Sequence, residues 1–252
     1  MTSMLEALRQ IEALVPDGRA AERGFPAAAE PLPTPDDADA IRKPPDAVRE
    51  PVADHDQPYH DLAVNLLSQL DADRASAILF VAAAREEGNT AVVARLASLL
   101  AGRQGEVLAV DVDLSRPRLA EGLGITCDRG LADVLLGATR WPDVVQPSGI
   151  EGLAVLPGRP SFAAMAPEPE PPQIARLLDQ LRRRYRLVLL DAGRMRPEEA
   201  VCWARFCEGT CLLVGMGETS AGAASGAAGL LIRGGGRLLG SVLLQKGARS
   251  LP

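Results

Sequence analysis

The chain has 252 residues and 47% hydrophobic content, enough to bury a full core. Its formal net charge is −6 and its sequence pI is about 5.1, which argues against a nucleic-acid-binding surface, because binding to phosphates needs clustered Lys and Arg. Four cysteines without a CxxC pair and two histidines indicate neither a zinc site nor a disulfide framework. Reduced cytosolic thiols, and hence a cytoplasmic protein, are expected.

The first part of the chain differs in composition from the rest. Apolar residues at helical spacing predict a short amphipathic helix over 3–15. Residues 16–57 are rich in Pro, Ala and Asp, a composition that predicts a flexible tether because it cannot bury enough apolar surface to offset chain entropy. We therefore divide the chain into an extension, 1–57, and a folded domain, 58–248. No export signal or membrane-spanning stretch is expected, so any link to a membrane comes through a partner.

From residue 59 onward, amphipathic helices alternate with apolar strands. Strand segments such as Leu187–Leu190 are apolar on both faces, the pattern of parallel strands covered by helices on each side. This predicts an α/β fold with a doubly wound, mostly parallel sheet, in which ligands bind at the carboxyl ends of the strands. The predicted helices are 59–70, 90–102, about 130–137, 171–184, 197–206 and 219–233, and the predicted strands are 77–83, 106–111, 153–156, 186–191, 210–215 and 238–244.

Polar residues follow three of these strands. Thr90 comes after the first, Asp111 and Asp113 after the second, and Asp191 after the strand that begins near Leu187. Carboxylate and hydroxyl oxygens of this kind suit Mg²⁺ beside phosphate. A single Asp after a strand more often starts a turn, but three together favour a metal–phosphate site.

Two long segments resemble a known family. Ile78 to Leu99, followed by Val107 to Leu119, is similar to the bacterial tyrosine kinases (BY-kinases) of capsule and exopolysaccharide systems, the CpsD/CapB-like and Wzc-like proteins. These in turn are similar to the MinD/ParA class of deviant P-loop ATPases. The resemblance covers nearly everything from Tyr59 to Gln245 and continues through residues 130–137, 152–158, 185–191 and 237–243.

The resemblance implies a P-loop NTPase fold with ATP and Mg²⁺ as cofactors. It gives Asp111 a catalytic role, and it assigns the metal to Thr90, Asp113 and Asp191. Nucleotide contacts fall on Arg85, Glu87, Gly88, Asn89, Thr90 and Ala91. The implied partners are the cytosolic segment of a membrane polysaccharide co-polymerase (Wzz-like) and further copies of the chain.

The phosphate loop departs from the family pattern. The family reads Pro-Gly-Glu-Gly-Lys-Ser/Thr where this chain has Glu86 at a glycine position and Asn89 at the lysine position. Two unit charges about 4 Å apart interact by about 4 kcal/mol at a dielectric constant near 20, so exchanging attraction for repulsion removes much of the affinity for phosphate. Arg85 could compensate, or it could be a loop arginine that faces solvent.

Other family features are also missing. His60 and Ala63 stand where the family's subunit-joining helix has arginines, and the C-terminus has no tyrosine cluster. Three hypotheses follow: a non-catalytic partner-binding member of the family, a weak ATP-binding protein or Mg-ATPase, and an active tyrosine autokinase of the CpsD/CapB type. The missing lysine and tyrosines favour the first.

Two smaller patterns have structural interpretations. The basic run Arg182, Arg183, Arg184 and Arg186 is interpreted as the solvated end of a helix rather than a binding patch. Trp203 is interpreted as a core residue rather than a binding platform.

Overall fold

The computed structural model describes residues 56–84, 89–104, 106–159 and 169–245. The predicted N-terminal helix and nearly all of the predicted tether lie outside the described residues. So do Arg85, Glu87 and Gly88, which the sequence assigns to the nucleotide.

Within the described residues, seven strands form one sheet in the order β3-β4-β2-β5-β1-β6-β7. All neighbouring pairs are parallel except β3 and β4, which are antiparallel. The predicted doubly wound, mostly parallel sheet is thus confirmed. The strands are β1 Ser76–Ala82, β2 Val107–Asp111, β3 Gln146–Pro147, β4 Leu153–Leu156, β5 Leu187–Asp191, β6 Gly209–Gly215 and β7 Leu238–Leu244.

Helices cover both faces of this sheet. Helices α1 to α3 pack in one hydrophobic cluster and helices α4 to α7 in the other. No helix in the described part of the chain is both long and apolar enough to cross a lipid bilayer. The helices are α1 Gln57–Ser68, α2 Asn89–Gln104, α3 Leu119–Gly122, α4 Leu131–Leu135, α5 Pro171–Arg184, α6 Pro197–Ala204 and α7 Ala221–Arg233, with a 3-10 helix at Trp141–Asp143.

The four central strands explain the continuous apolar runs in the sequence. Every residue of β1, β2, β5 and β6 is buried, because each strand has a helix layer on both sides. Prolines begin α5 and α6, where their missing N–H groups are not needed. The elements that sequence reasoning missed are the short ones, β3, α3 and the 3-10 helix, which are too brief to show a periodicity.

Three of the four arginines in the basic run at the end of α5 contact the protein, whereas Arg183 is exposed as predicted. Arg182 donates to Glu208 and to the carbonyl of Phe206, and its side chain is only 16% exposed. Arg184 pairs with Glu106. Arg186 donates to backbone carbonyls of the turn that precedes β1. Trp203 is 1% exposed and packs in the core, as the sequence predicted.

Candidate functional site

The carboxyl ends of β2 and β5 bring two aspartates together. Asp111 and Asp191 are register partners on these neighbouring strands and are 1% and 0% exposed. Burial is the main cause that raises the pKa of Asp111 well above its ordinary value, and the nearby charge of Asp191 raises it further. The hydrogen bonds that Asp111 accepts from Leu119 and Arg118 lower this pKa, but their effect is smaller. The site therefore places two buried carboxyl groups side by side in a region with little access to water.

Asp111 organises the segment that leads into α3. Its Oδ2 accepts the backbone N–H groups of Arg118 (2.8 Å) and Leu119 (2.9 Å), and its Oδ1 accepts that of Asp113 (3.2 Å). The first two are N–H groups at the start of a helix, which have no partner within the helix itself. Both oxygens of the predicted catalytic aspartate are thus engaged by the protein backbone.

Asp113, a predicted metal ligand, is engaged in the same way. Its Oδ1 accepts the N–H and the hydroxyl of Ser115 and the N–H of Arg116. Its Oδ2 accepts the N–H of Arg194 at 2.8 Å, which ties the loop after β2 to the loop after β5. Its role in the described structure is to hold two loops together.

Asp191 has one oxygen without a partner. Its Oδ1 accepts the N–H of Gly193 at 2.8 Å, whereas Oδ2 is buried and makes no hydrogen bond within the described residues. Burial raises the pKa of Asp191 to about 6, although the Thr90 hydroxyl and the Gly193 N–H favour the charged form. The structure therefore places Thr90 beside Asp191, as sequence order suggested.

Asn89 stands at the first position of α2, where the family has lysine. Its side-chain amide donates to the carbonyl of Gly193 at 3.0 Å, a hydrogen bond between residues 104 positions apart. Asn89 is 3% exposed, and its Oδ1 has no hydrogen-bond partner in the described part of the chain. Ala91 follows in the first turn of α2 and is partly buried. The side chain at the lysine position thus donates a hydrogen bond within the protein and carries no positive charge.

Two curated proteins are similar to this chain in sequence. One is the succinoglycan biosynthesis transport protein ExoP of Rhizobium meliloti (strain 1021), with 26% identity over 156 residues, which are 60% of this chain and 20% of ExoP. The chain thus spans about a fifth of the length of that relative. The other is CapB of Staphylococcus aureus, whose name describes a tyrosine-protein kinase, with 20% identity over 77% of this chain and 88% of CapB. No model of a known protein family matches the chain.

Solved structures share the fold. The kinase domain of the Escherichia coli tyrosine kinase ETK aligns with a TM-score of 0.66 and 22% identity over 77% of each chain. MinD of Pyrococcus horikoshii OT3, solved with Mg-ADP, aligns with a TM-score of 0.59 and 25% identity over 69% of this chain and 72% of MinD. The chain is similar to the BY-kinases and has their P-loop fold.

The phosphate-loop residues 85–88 of this BY-kinase-like domain lie outside the described residues. In the described residues, no Lys or Arg side chain forms an ion pair with Asp111, Asp113 or Asp191. Nor do three or more His, Cys, Asp or Glu side chains lie together as a metal-binding group in that part of the chain. Among the described residues, Asn89 and the three aspartates thus supply oxygen ligands for a cation but no positive charge for a phosphate.

Sequence reasoning missed the central role of Gly193. Its backbone contacts both Asn89 and Asp191, and its φ of +50° is one that glycine adopts most readily. A Cβ at this position would lie 2.7 Å from Asp113 Oδ2. A glycine two residues beyond an apolar strand is a signal for a tight turn, but the sequence does not show which side chains that turn meets.

Proposed function

We propose that this chain is a non-catalytic, BY-kinase-like regulator of exopolysaccharide or capsule biosynthesis that binds the cytosolic segment of a membrane polysaccharide co-polymerase. The observation that carries the proposal is the state of Asn89. The side chain at the family's lysine position is neutral, buried and hydrogen-bonded to Gly193. It supplies no positive charge for a phosphate.

The electrostatics of the site support this proposal. Asp111 and Asp191 are buried neighbours whose pKa values are raised by burial, so the site disfavours additional negative charge. A triphosphate would bring several negative charges to this edge of the sheet. The sequence adds Glu86 and Glu87 to the loop just before α2. Net repulsion of this kind reduces affinity by about tenfold for every 1.4 kcal/mol.

The names of the relatives support the cellular assignment. ExoP is named for transport in succinoglycan biosynthesis, and CapB is named as a tyrosine-protein kinase. We therefore place this chain in a polysaccharide system, at the inner face of the membrane through its partner. Self-association of the chain is part of the same proposal, by analogy with the family.

A weak Mg-ATPase is the second candidate. Asp191 Oδ2 is buried and accepts no hydrogen bond within the described residues, and the Thr90 hydroxyl lies beside the Asp191 carboxyl group, so one hydroxyl and one carboxylate oxygen could hold a cation. The MinD structure with Mg-ADP shows that this fold accommodates such a ligand. In this case Arg85 would supply the missing charge.

Calorimetric titration with Mg-ATP separates the two candidates. The natural protein is expected to show no binding in the micromolar range, whereas Asn89→Lys combined with Glu86→Gly is expected to bind. Asn65→Lys combined with Glu86→Gly is the control, because Asn65 is exposed on α1 and receives the same charge away from the site. Micromolar binding by the natural protein would favour the weak ATPase.

Complementation of a deletion strain tests the cellular role. Loss of the gene is expected to change the yield or length of the polysaccharide, and a Thr90→Val copy is expected to restore it as well as the natural gene does. Valine keeps the shape of threonine but lacks the hydroxyl that a Mg²⁺-dependent enzyme would use. Failure of this variant to complement, with normal protein levels, would contradict a non-catalytic role.

A further inference from the structure

We infer that Asn89 is a positioning residue that takes the place of a nucleotide, because it joins the start of α2 to the segment 192–196 and holds that segment in one conformation. This inference rests on the proposed function, in which no nucleotide is bound. It goes further because it identifies the hydrogen bond between Asn89 and Gly193 as the contact that holds the segment without a nucleotide.

Three side chains of the candidate site converge on two consecutive residues. Asp191 accepts the N–H of Gly193, Asn89 donates to the carbonyl of Gly193, and Asp113 accepts the N–H of Arg194. Asp191 and Asp113 come from the carboxyl ends of β5 and β2, and Asn89 comes from the start of α2. Positions that the resemblance assigns to ATP and Mg²⁺ thus bind the protein's own backbone.

The geometry of Gly193 leaves this segment little freedom. Its φ is +50°, and the space where a Cβ would lie is filled by Asp113, with Oδ2 at 2.7 Å and Cβ at 2.8 Å. Any residue with a Cβ at this position would therefore clash with the loop after β2, so the close approach of the two loops requires glycine. The Asn89 hydrogen bond acts from α2 and fixes the carbonyl of the same residue.

The fixed segment determines where α6 begins. Met195 donates its N–H to the carbonyl of Ala192 and packs against the hydrophobic cluster under α4 to α7. The chain then enters α6, where Ala200 and Trp203 are buried. Anchoring Gly193 thus holds the first turn of α6 against the core. A partner that binds the surface formed by 194–199 would meet it in the same conformation at any concentration of ATP.

Residue-resolved hydrogen exchange of the whole chain tests this role. The reporters are the N–H groups of Gly193, Arg194 and Met195, each of which is hydrogen-bonded. Asn89→Asp and Asn89→Leu both remove the donor, and exchange at the three reporters is expected to be about tenfold faster than in the natural protein. An acidic side chain at the start of a helix interacts favourably with the helix dipole. This effect alone therefore predicts slower exchange for Asn89→Asp, the opposite of the expected result.

Asn65→Asp and Asn65→Leu are the matched controls, because Asn65 is exposed on α1. The inference is overturned if both Asn89 variants leave the reporters at the rates of these controls. It is also overturned if exchange accelerates uniformly over the domain, since that would show a contribution to global stability without local positioning. If Asn89→Asp does not fold, Asn89→Leu decides the question.

Addition of Mg-ATP to the natural protein distinguishes the two proposals. Unchanged exchange at the reporters is the expected result. Slower exchange on addition of Mg-ATP would overturn the proposed function. The comparison of Asn89 and Asn65 variants without nucleotide would still decide the role of Asn89.

Discussion

Asp111 and Asp191 are paired across β2 and β5, and within the described residues neither has a cationic side chain beside it. Burial raises the pKa of both, and Asp191 also raises the pKa of Asp111. The fold therefore holds two buried carboxyl groups with raised pKa values beside each other, as expected where a site has kept its carboxylates but lost its lysine.

The first prediction concerns pH. The pKa of Asp191 is about 6 in the folded protein and about 3.9 in an unfolded chain, so between these values the folded state binds more protons than the unfolded state. The free energy of unfolding should therefore fall as pH rises from about 4 to about 6, and the raised pKa of Asp111 acts in the same direction. Asp191→Asn should stabilise the protein by about 2 to 3 kcal/mol at pH 8 and reduce this pH dependence.

Chemical denaturation at several pH values measures this effect. Asp73→Asn, at an exposed position, is the control and should change stability little at any pH. A natural protein whose stability rises between pH 4 and pH 6 would contradict the prediction.

The second prediction tests whether Asp111 has a structural role. Asn at this position keeps an oxygen that can accept the N–H groups of Arg118 and Leu119, whereas Ala leaves them unpaired. Asp111→Ala should therefore be less stable than Asp111→Asn by about 1 to 3 kcal/mol, as measured by urea denaturation. Equal stability of the two variants would show that the aspartate is not needed to hold the start of α3.

The third prediction concerns Gly193. Gly193→Ala introduces a Cβ at a φ of +50° and within 2.7 Å of Asp113 Oδ2, so it should destabilise the protein by more than about 2 kcal/mol. Gly226→Ala is the control, since this exposed helical glycine has no atom within 4 Å of the added Cβ. That control should stabilise the protein by about 0.5 to 1 kcal/mol. Thermal denaturation of both variants measures the difference, and a tolerated Gly193→Ala would show that the turn relaxes.

The fourth prediction compares two ion pairs. Asp133 pairs with Arg159 and accepts the N–H of Gly130, and both charged side chains are largely buried at 11% and 18% exposure. Asp143 pairs with Arg140 at the surface, with both side chains about half exposed. Asp133→Ala should cost about 2 to 4 kcal/mol of stability, and Asp143→Ala less than about 1 kcal/mol. Similar losses in denaturation experiments would mean that burial does not strengthen the Asp133 contacts.

Much of the fold could be predicted because burial leaves a regular pattern in the sequence. The runs that form β1, β2, β5 and β6 are apolar throughout, since each strand is covered on both faces. The antiparallel β3 could not be predicted, because two residues carry no periodicity. The contacts of the basic residues at the end of α5 could not be predicted either, because Arg182 pairs with Glu208, which lies in a later segment of the chain.

By itself, the sequence determined the order of strands and helices, the resemblance to BY-kinases and the loss of the lysine at Asn89, because these depend on residue identity and local spacing. The tertiary structure decided what each site residue contacts. Asn89 hydrogen-bonds to Gly193 and Asp113 to Arg194, which lie 104 and 81 positions away in the sequence. Contacts of this range depend on how the sheet brings its strand ends together, and neither composition nor local spacing specifies them.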